Sequence, residues 1–161
     1  MNLRKFFLTV GYSGLFPKAP GTVGSFVSLL IGLVLVQYLH VSTIFLLSLL
    51  ISALAVKQID IYEKEVGEHD SKEIVIDELA GMWITLSICW INIESTTSMI
   101  IVASLAFFYF RLFDIWKPSL IGKIDRDVKG GWGVMGDDLL AGIAAGIATV
   151  GTYQLIQMFI V

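Results

Sequence analysis

Residues 19–56 read APGTVGSFVSLLIGLVLVQYLHVSTIFLLSLLISALAV, a run without a single Asp, Glu, Lys or Arg. A helix crosses the hydrocarbon core of a bilayer with about 20 apolar residues, within a range of about 17–25. The run is long enough for two such helices joined by a tight turn near Gln37–Thr43. Further neutral stretches follow at 79–93, at 95–110 beyond the interrupting Glu94, and at 139–161. The last meets the length criterion alone, and the middle two reach it with their polar flanks. The pattern predicts five helices, at 22–39, 43–59, 78–94, 97–113 and 138–160. The expected fold is therefore all-α: a polytopic membrane helical bundle forming one domain over residues 1–161, with its site carried by cytoplasmic loops.

Composition agrees. The chain is 56% hydrophobic and only 16% charged, with a mean hydropathy of +0.80. Soluble domains are about 45–50% apolar and about 25% charged. A net charge of −3 and the lack of a basic patch interleaved with aromatics argue against a nucleic-acid partner. The lone Cys89 sits in an apolar run and reads as a small core hydrophobe, with no internal disulfide to form. Met1–Phe7 carries Arg4 and Lys5 but too short an apolar stretch for a signal peptide.

Charge placement orients the bundle. Five crossings put the N-terminus, the 60–77 loop and the 114–137 loop on one side. All eleven Lys and Arg fall there or at the adjoining helix ends. Short loops rich in Lys and Arg stay in the cytoplasm, so both charged loops are expected inside and the C-terminus outside. Of the fourteen acids only Glu94 falls on the far side. Carboxylates contribute little to orientation, so their gathering asks for a shared site at the cytoplasmic face.

Three polar segments meet that face. The first is the Gly- and Pro-rich stretch from Gly11 to Ser25, in which Thr22 or Ser25 is expected to cap the helix start. Helix N-termini favour anions, and Lys18 adds a positive charge, so the segment reads as a phosphate cradle or as an ordinary helix entry. The second runs from Gly67 to Gly81. Its Asp77-Glu78 pair leads straight into apolar sequence, where desolvating charge is costly; Mg²⁺, which prefers carboxylate and water oxygens, relieves that cost. Upstream, His69 with Asp70 is a candidate for proton transfer. The third holds Arg111, Asp114 and Lys117 at i, i+3 spacing on one helix face, then Arg126, then four glycines leading to Asp137-Asp138. That pair is expected to open the last helix, mirroring Asp77-Glu78. Gly142 and Gly146, with nearby alanines, make a small-residue face suited to close helix packing.

These segments carry the residues of a known family. Ser13-Gly-Leu with Pro20-Gly-Thr-Val-Gly-Ser25, His69-Asp70 with Ile74-Val-Ile-Asp-Glu78 and Gly81-Met-Trp-Ile84, Phe110-Arg-Leu-Phe-Asp114 with Lys117-Pro118, and Asp125-Arg126 with Gly130-Gly-Trp-Gly-Val-Met-Gly-Asp-Asp138 occur in this order. Together they resemble the phosphatidylglycerophosphatase A family over nearly the whole chain. Leu120 stands where the family often has a second proline, and Lys129 where a His is common. The resemblance implies a bacterial, Mg²⁺-dependent phosphatase of a lipid phosphate monoester acting in anionic phospholipid synthesis; the five apolar runs make it multi-pass in the inner membrane.

The expected chemistry follows. Asp77, Glu78, Asp114, Asp137 and Asp138 supply oxygens to one or two Mg²⁺, with Asp77, Asp114 and Asp138 also counted as catalytic. Lys18, Thr22, Ser25, Arg111, Lys117 and Arg126 bind the substrate phosphate, and His69 with Asp70 moves the proton. The expected partner is a phospholipid substrate in the membrane, with no obligate protein partner. The alternative reading is a small ion-binding transporter or channel subunit, which requires acids along a path through the helices.

Overall fold

The computed structural model describes residues 2–67, 71–91, 93 and 95–160, with only the backbone considered at Ile160. These residues form seven α-helices: α1 (Leu3–Leu8), α2 (Pro20–Leu35), α3 (Val41–Val66), α4 (Ile76–Cys89), α5 (Thr96–Trp116), α6 (Leu120–Asp127) and α7 (Gly131–Ile160). A 3₁₀ turn, Ser13–Leu15, precedes α2. The helices α3, α5 and α7 are long and apolar enough to cross a membrane. At 1.5 Å per residue, α2 and α4 span only about 24 and 21 Å, less than a hydrocarbon core of about 30 Å.

In α4, every residue except Asp77 and Ile88 is buried. A helix that is apolar on all sides belongs inside a bundle, and α4 packs against α2, α3, α5 and, most extensively, α7. In lipid there is little hydrophobic drive between helices, so they hold together by close packing and hydrogen bonds. The glycines of α7 supply the closeness: Gly142 lies against the backbone carbonyl of Gly81, and Gly146 against Ile88, with no room for a Cβ at either. The Thr85 hydroxyl lies 3.0 Å from the Gly81 carbonyl oxygen and 3.1 Å from that of Gly142, bridging the two helices. The Ser48 hydroxyl donates to the Ala80 carbonyl at 2.7 Å, tying α3 to α4. The Trp83 indole N–H donates to the Ser28 carbonyl at 3.1 Å, tying α2 to α4.

Several boundaries differ from expectation, each for a visible reason. The last helix begins at Gly131, not 138. The Asp60 carboxylate of α3 accepts the Gly131 N–H at 2.7 Å, satisfying a first-turn donor that the local sequence leaves open. Gly130, at φ +70°, turns the chain into that cap. Asp137 and Asp138 therefore sit nearly two turns inside α7, not at its start. Helix α3 continues beyond 59 to Val66 because its charged end has partners: Arg4 donates to Gln58 at 3.2 Å and pairs with Glu65 at 2.5 Å. Helix α4 ends at Cys89, short of 94, and Glu94 lies outside the described residues. The short helices α1 and α6 were not expected at all. The entry to α2 is not capped by Thr22 or Ser25. Pro20 occupies the first turn after Ala19, and Ser25 instead donates to the Gly21 carbonyl at 2.7 Å.

The segment leading into α4 is fastened to α1. The Val75 N–H donates to the Leu8 carbonyl at 2.9 Å, and Lys5 pairs with Glu73 at 2.8 Å. The Tyr62 hydroxyl donates to Glu73 at 3.0 Å. The hydrogen bond from Lys5 holds the Glu73 carboxyl below its ordinary range.

Candidate active site

The start of α2, the start of α4, the end of α5 and the first two turns of α7 surround one cleft of about 360 Å³. Each element brings charge for a local reason. Asp77 and Glu78 occupy the first turn of α4, where the helix dipole favours anions. Arg111 and Asp114 project from the last turns of α5. Lys117 ends α5 in a left-handed conformation, φ +46°, with its ammonium group over the cleft.

Six carboxylates line this cleft (Asp77, Glu78, Asp114, Asp125, Asp137 and Asp138) against three cations, Lys72, Arg111 and Lys117. Their pairing divides the acids. Arg111 pairs with Asp114, lies 3.8 Å from Glu78 and donates to the Ser25 hydroxyl at 3.1 Å. Lys117 reaches Asp125 at 2.5 Å and Asp137 at 2.6 Å. Burial disfavours the Lys117 ammonium, but its two carboxylate partners outweigh that and raise its pKa above the ordinary 10.5.

Asp77, Glu78 and Asp138 converge in the same cleft. One carboxylate oxygen from each lies within 4.8 Å of the others. Glu78 is 8% exposed and Asp138 3%. Glu78 Oε2 and Asp138 Oδ2 are buried and lack a hydrogen-bond donor among the described residues. Converging carboxylates with unsatisfied oxygens in a buried setting are costly unless a cation joins them. An all-oxygen donor set suits a hard ion such as Mg²⁺. The residues present therefore fit the expected metal, with the ligand set centred on three of the five acids named from the sequence. Asp114 and Asp137 share the cleft but are held by Arg111 and Lys117.

The expected phosphate-binding residues also divide. Arg111 and Lys117 line the cleft, and Ser25 stands behind Arg111. Lys18 and Arg126 are exposed, and neither lines the cleft; Thr22 is half-buried and does not line it either. His69 and Asp70 lie outside the described residues. The structure adds three groups that the sequence reading missed. Asp125 shares Lys117 with Asp137, Lys72 lines the cleft, and Asp60 caps α7. No sequence spacing announces the contact of Asp60 with Gly131, 71 positions away, or of Asp125 with Lys117 across the turn between α5 and α6. Gly21 belongs here too: a Cβ on it would press into the Glu78 carboxylate and lie 3.5 Å from the Arg111 guanidinium.

Comparison with known proteins meets the same segments. The phosphatidylglycerophosphatase A family matches residues 6–153. The chain belongs to that family. A phosphatidylglycerophosphatase A of Escherichia coli (strain K12) is 39% identical over 144 residues, covering 87% of this chain and 78% of the relative. Its counterpart in Haemophilus influenzae is 38% identical over 139 residues, covering 86% and 82%. A Bacteroides thetaiotaomicron protein named "Putative phosphatidylinositol-3-phosphatase" is 33% identical over 135 residues, covering 81% of each. No solved structure matches the chain significantly. As a member of the phosphatidylglycerophosphatase A family, the chain is a phosphomonoesterase of phospholipid synthesis, and its charged cleft holds the groups such chemistry uses.

Proposed function

We propose that this protein hydrolyses phosphatidylglycerol phosphate to phosphatidylglycerol and inorganic phosphate, with Mg²⁺ held by Asp77, Glu78 and Asp138. The observation that carries the reading is the buried three-carboxylate cluster with unsatisfied oxygens, in one cleft with Arg111 and Lys117. When bound, the metal polarises the phosphoryl group and neutralises its charge. Arg111 and Lys117 present N–H donors to the remaining phosphoryl oxygens, the electrostatic task that dominates phosphoryl transfer. Asp114 holds Arg111 in place, and Asp125 and Asp137 hold Lys117. His69 with Asp70 is assigned the proton transfer on the sequence alone.

A lipid substrate explains the setting. The three apolar helices long enough to span a membrane support a membrane setting, and the Lys- and Arg-rich loops support a cleft at the cytoplasmic face, where a headgroup would enter while its acyl chains stay in lipid. The ion-transport reading asks for acids along a path. Among the described residues the buried acids are Glu78, Asp137 and Asp138, and all three line this one cleft. The test is phosphate release from phosphatidylglycerol phosphate by purified protein in detergent micelles, with and without EDTA. Release that EDTA abolishes and Mg²⁺ restores is expected. Absence of release under Mg²⁺, or release indifferent to EDTA, would end this reading.

A further inference from the structure

Among the described residues, Lys72 is the cleft cation without a carboxylate partner. Arg111 is engaged with Asp114 and Glu78, and Lys117 with Asp125 and Asp137. Lys72 lines the same cleft, is exposed at its mouth, and makes no ion pair among the described residues. Its backbone is nonetheless fixed. The Ile74 N–H closes a turn onto the Ser71 carbonyl at 2.8 Å, and Val75 bonds to Leu8 at 2.9 Å. The neighbouring Glu73 is held by Lys5 at 2.8 Å and by Tyr62 at 3.0 Å. A long-stemmed cation with no ion-pair partner among the described residues, on an anchored turn beside an acid-rich floor, suits a second anion rather than the one at the carboxylate cluster.

The proposed substrate supplies that anion. Phosphatidylglycerol phosphate carries two phosphates separated by a glycerol: the terminal monoester that is cleaved and the diester that links it to diacylglycerol. With the monoester at the carboxylate cluster, the diester emerges at the mouth. Resting on the function proposed above, we infer that Lys72 binds the diester phosphate and makes the site favour lipids with a second phosphate over those carrying a monoester alone.

The test compares wild type with Lys72→Met, which keeps the stem and removes the charge, and with Lys72→Arg. KM and kcat are measured for phosphatidylglycerol phosphate, and phosphatidic acid, which has only a monoester, is scored as a competitor so that its turnover is not required. Loss of one charge-assisted contact predicts a rise in KM of about tenfold in Lys72→Met. The kcat is expected to stay within about twofold, the inhibition constant of phosphatidic acid to be unchanged, and Lys72→Arg to recover most of the loss. An unchanged KM overturns the inference, as does equal weakening toward both lipids, which would put Lys72 on the scissile phosphate or reduce it to a general surface charge. Failure of wild type to release phosphate at all would refute the proposed function instead, and the two failures are therefore distinct.

Discussion

Replacing Gly81 with alanine should separate the two halves of the site without touching any charged group. A Cβ at this position would stand 2.6 Å from the Asp138 carbonyl oxygen and 2.5 Å from the edge of the Phe110 ring. Carbon–oxygen contacts settle near about 3.3–3.6 Å and carbon–carbon contacts near about 3.5–4.0 Å. Relief therefore requires α7 and Phe110 to retreat by about 1 Å. Phe110 is fully buried, and the Asp138 carbonyl belongs to the α7 backbone, so α7 must yield. Overpacking of this kind costs about 1–3 kcal/mol, which a bundle of this size survives. The residue pushed is Asp138 itself, and a displacement of about 1 Å at a catalytic group can cost about 100-fold in rate. The assay is kcat/KM for phosphatidylglycerol phosphate across a Mg²⁺ titration, with thermal unfolding in detergent measured in parallel. The expected result is a folded protein with activity lowered about 100-fold and a raised Mg²⁺ requirement. Gly151→Ala, whose added Cβ meets nothing within 4 Å, serves as the control. Activity within about threefold of wild type and an unchanged Mg²⁺ dependence in Gly81→Ala would refute the claim that this helix contact sets the carboxylate geometry.

Asp138→Asn should abolish turnover and weaken Mg²⁺ binding, measured by calorimetry on the purified protein, while leaving it inserted in the membrane. Asp60→Ala should destabilise the chain by about 1 kcal/mol through loss of the α7 cap, with Asp60→Asn recovering most of it in thermal unfolding because its amide oxygen still accepts the Gly131 N–H. The Lys5–Glu73 pair predicts a pH window. The Glu73 pKa is depressed from its ordinary 4.5, so its contribution is present above that value and is lost as pH falls through the lower folded one. The Lys5 pKa is raised, chiefly by the same hydrogen bond, so its contribution is present below the ordinary 10.5 and is lost as pH rises through the higher folded value. Glu73→Gln should flatten the acid limb of a stability–pH curve, and an unaltered limb would refute this assignment.

Much of the architecture was legible because charge and apolar residues are sorted so sharply along the chain. Asp77-Glu78 and Asp114 stand at the borders of neutral runs, so both their helices and their common side could be read from order alone. The i, i+3 spacing likewise put Arg111 and Asp114 on one helix face, though not as the ion pair they form. Hydropathy could not say that α4 is sheathed by protein, since the same side chains suit lipid and a helical neighbour. Nor could it find the true start of α7. Gly130, Gly131, Gly133 and Gly136 argue locally for a turn, and only the Asp60 carboxylate, distant in sequence, lets the helix begin among them. That Lys117 holds Asp137 was hidden for the same reason, because the two are twenty positions apart.

The sheathing of α4 bears on how the protein is made. Asp77 and Glu78 are made with α4, while Asp138 arrives on α7, later in the order of synthesis. Until α7 docks, the most enclosed helix lacks its principal neighbour, and two of the three clustered carboxylates wait without the third. The carboxylate cluster is thus completed late in biogenesis, only when α7 closes over a helix made well before it.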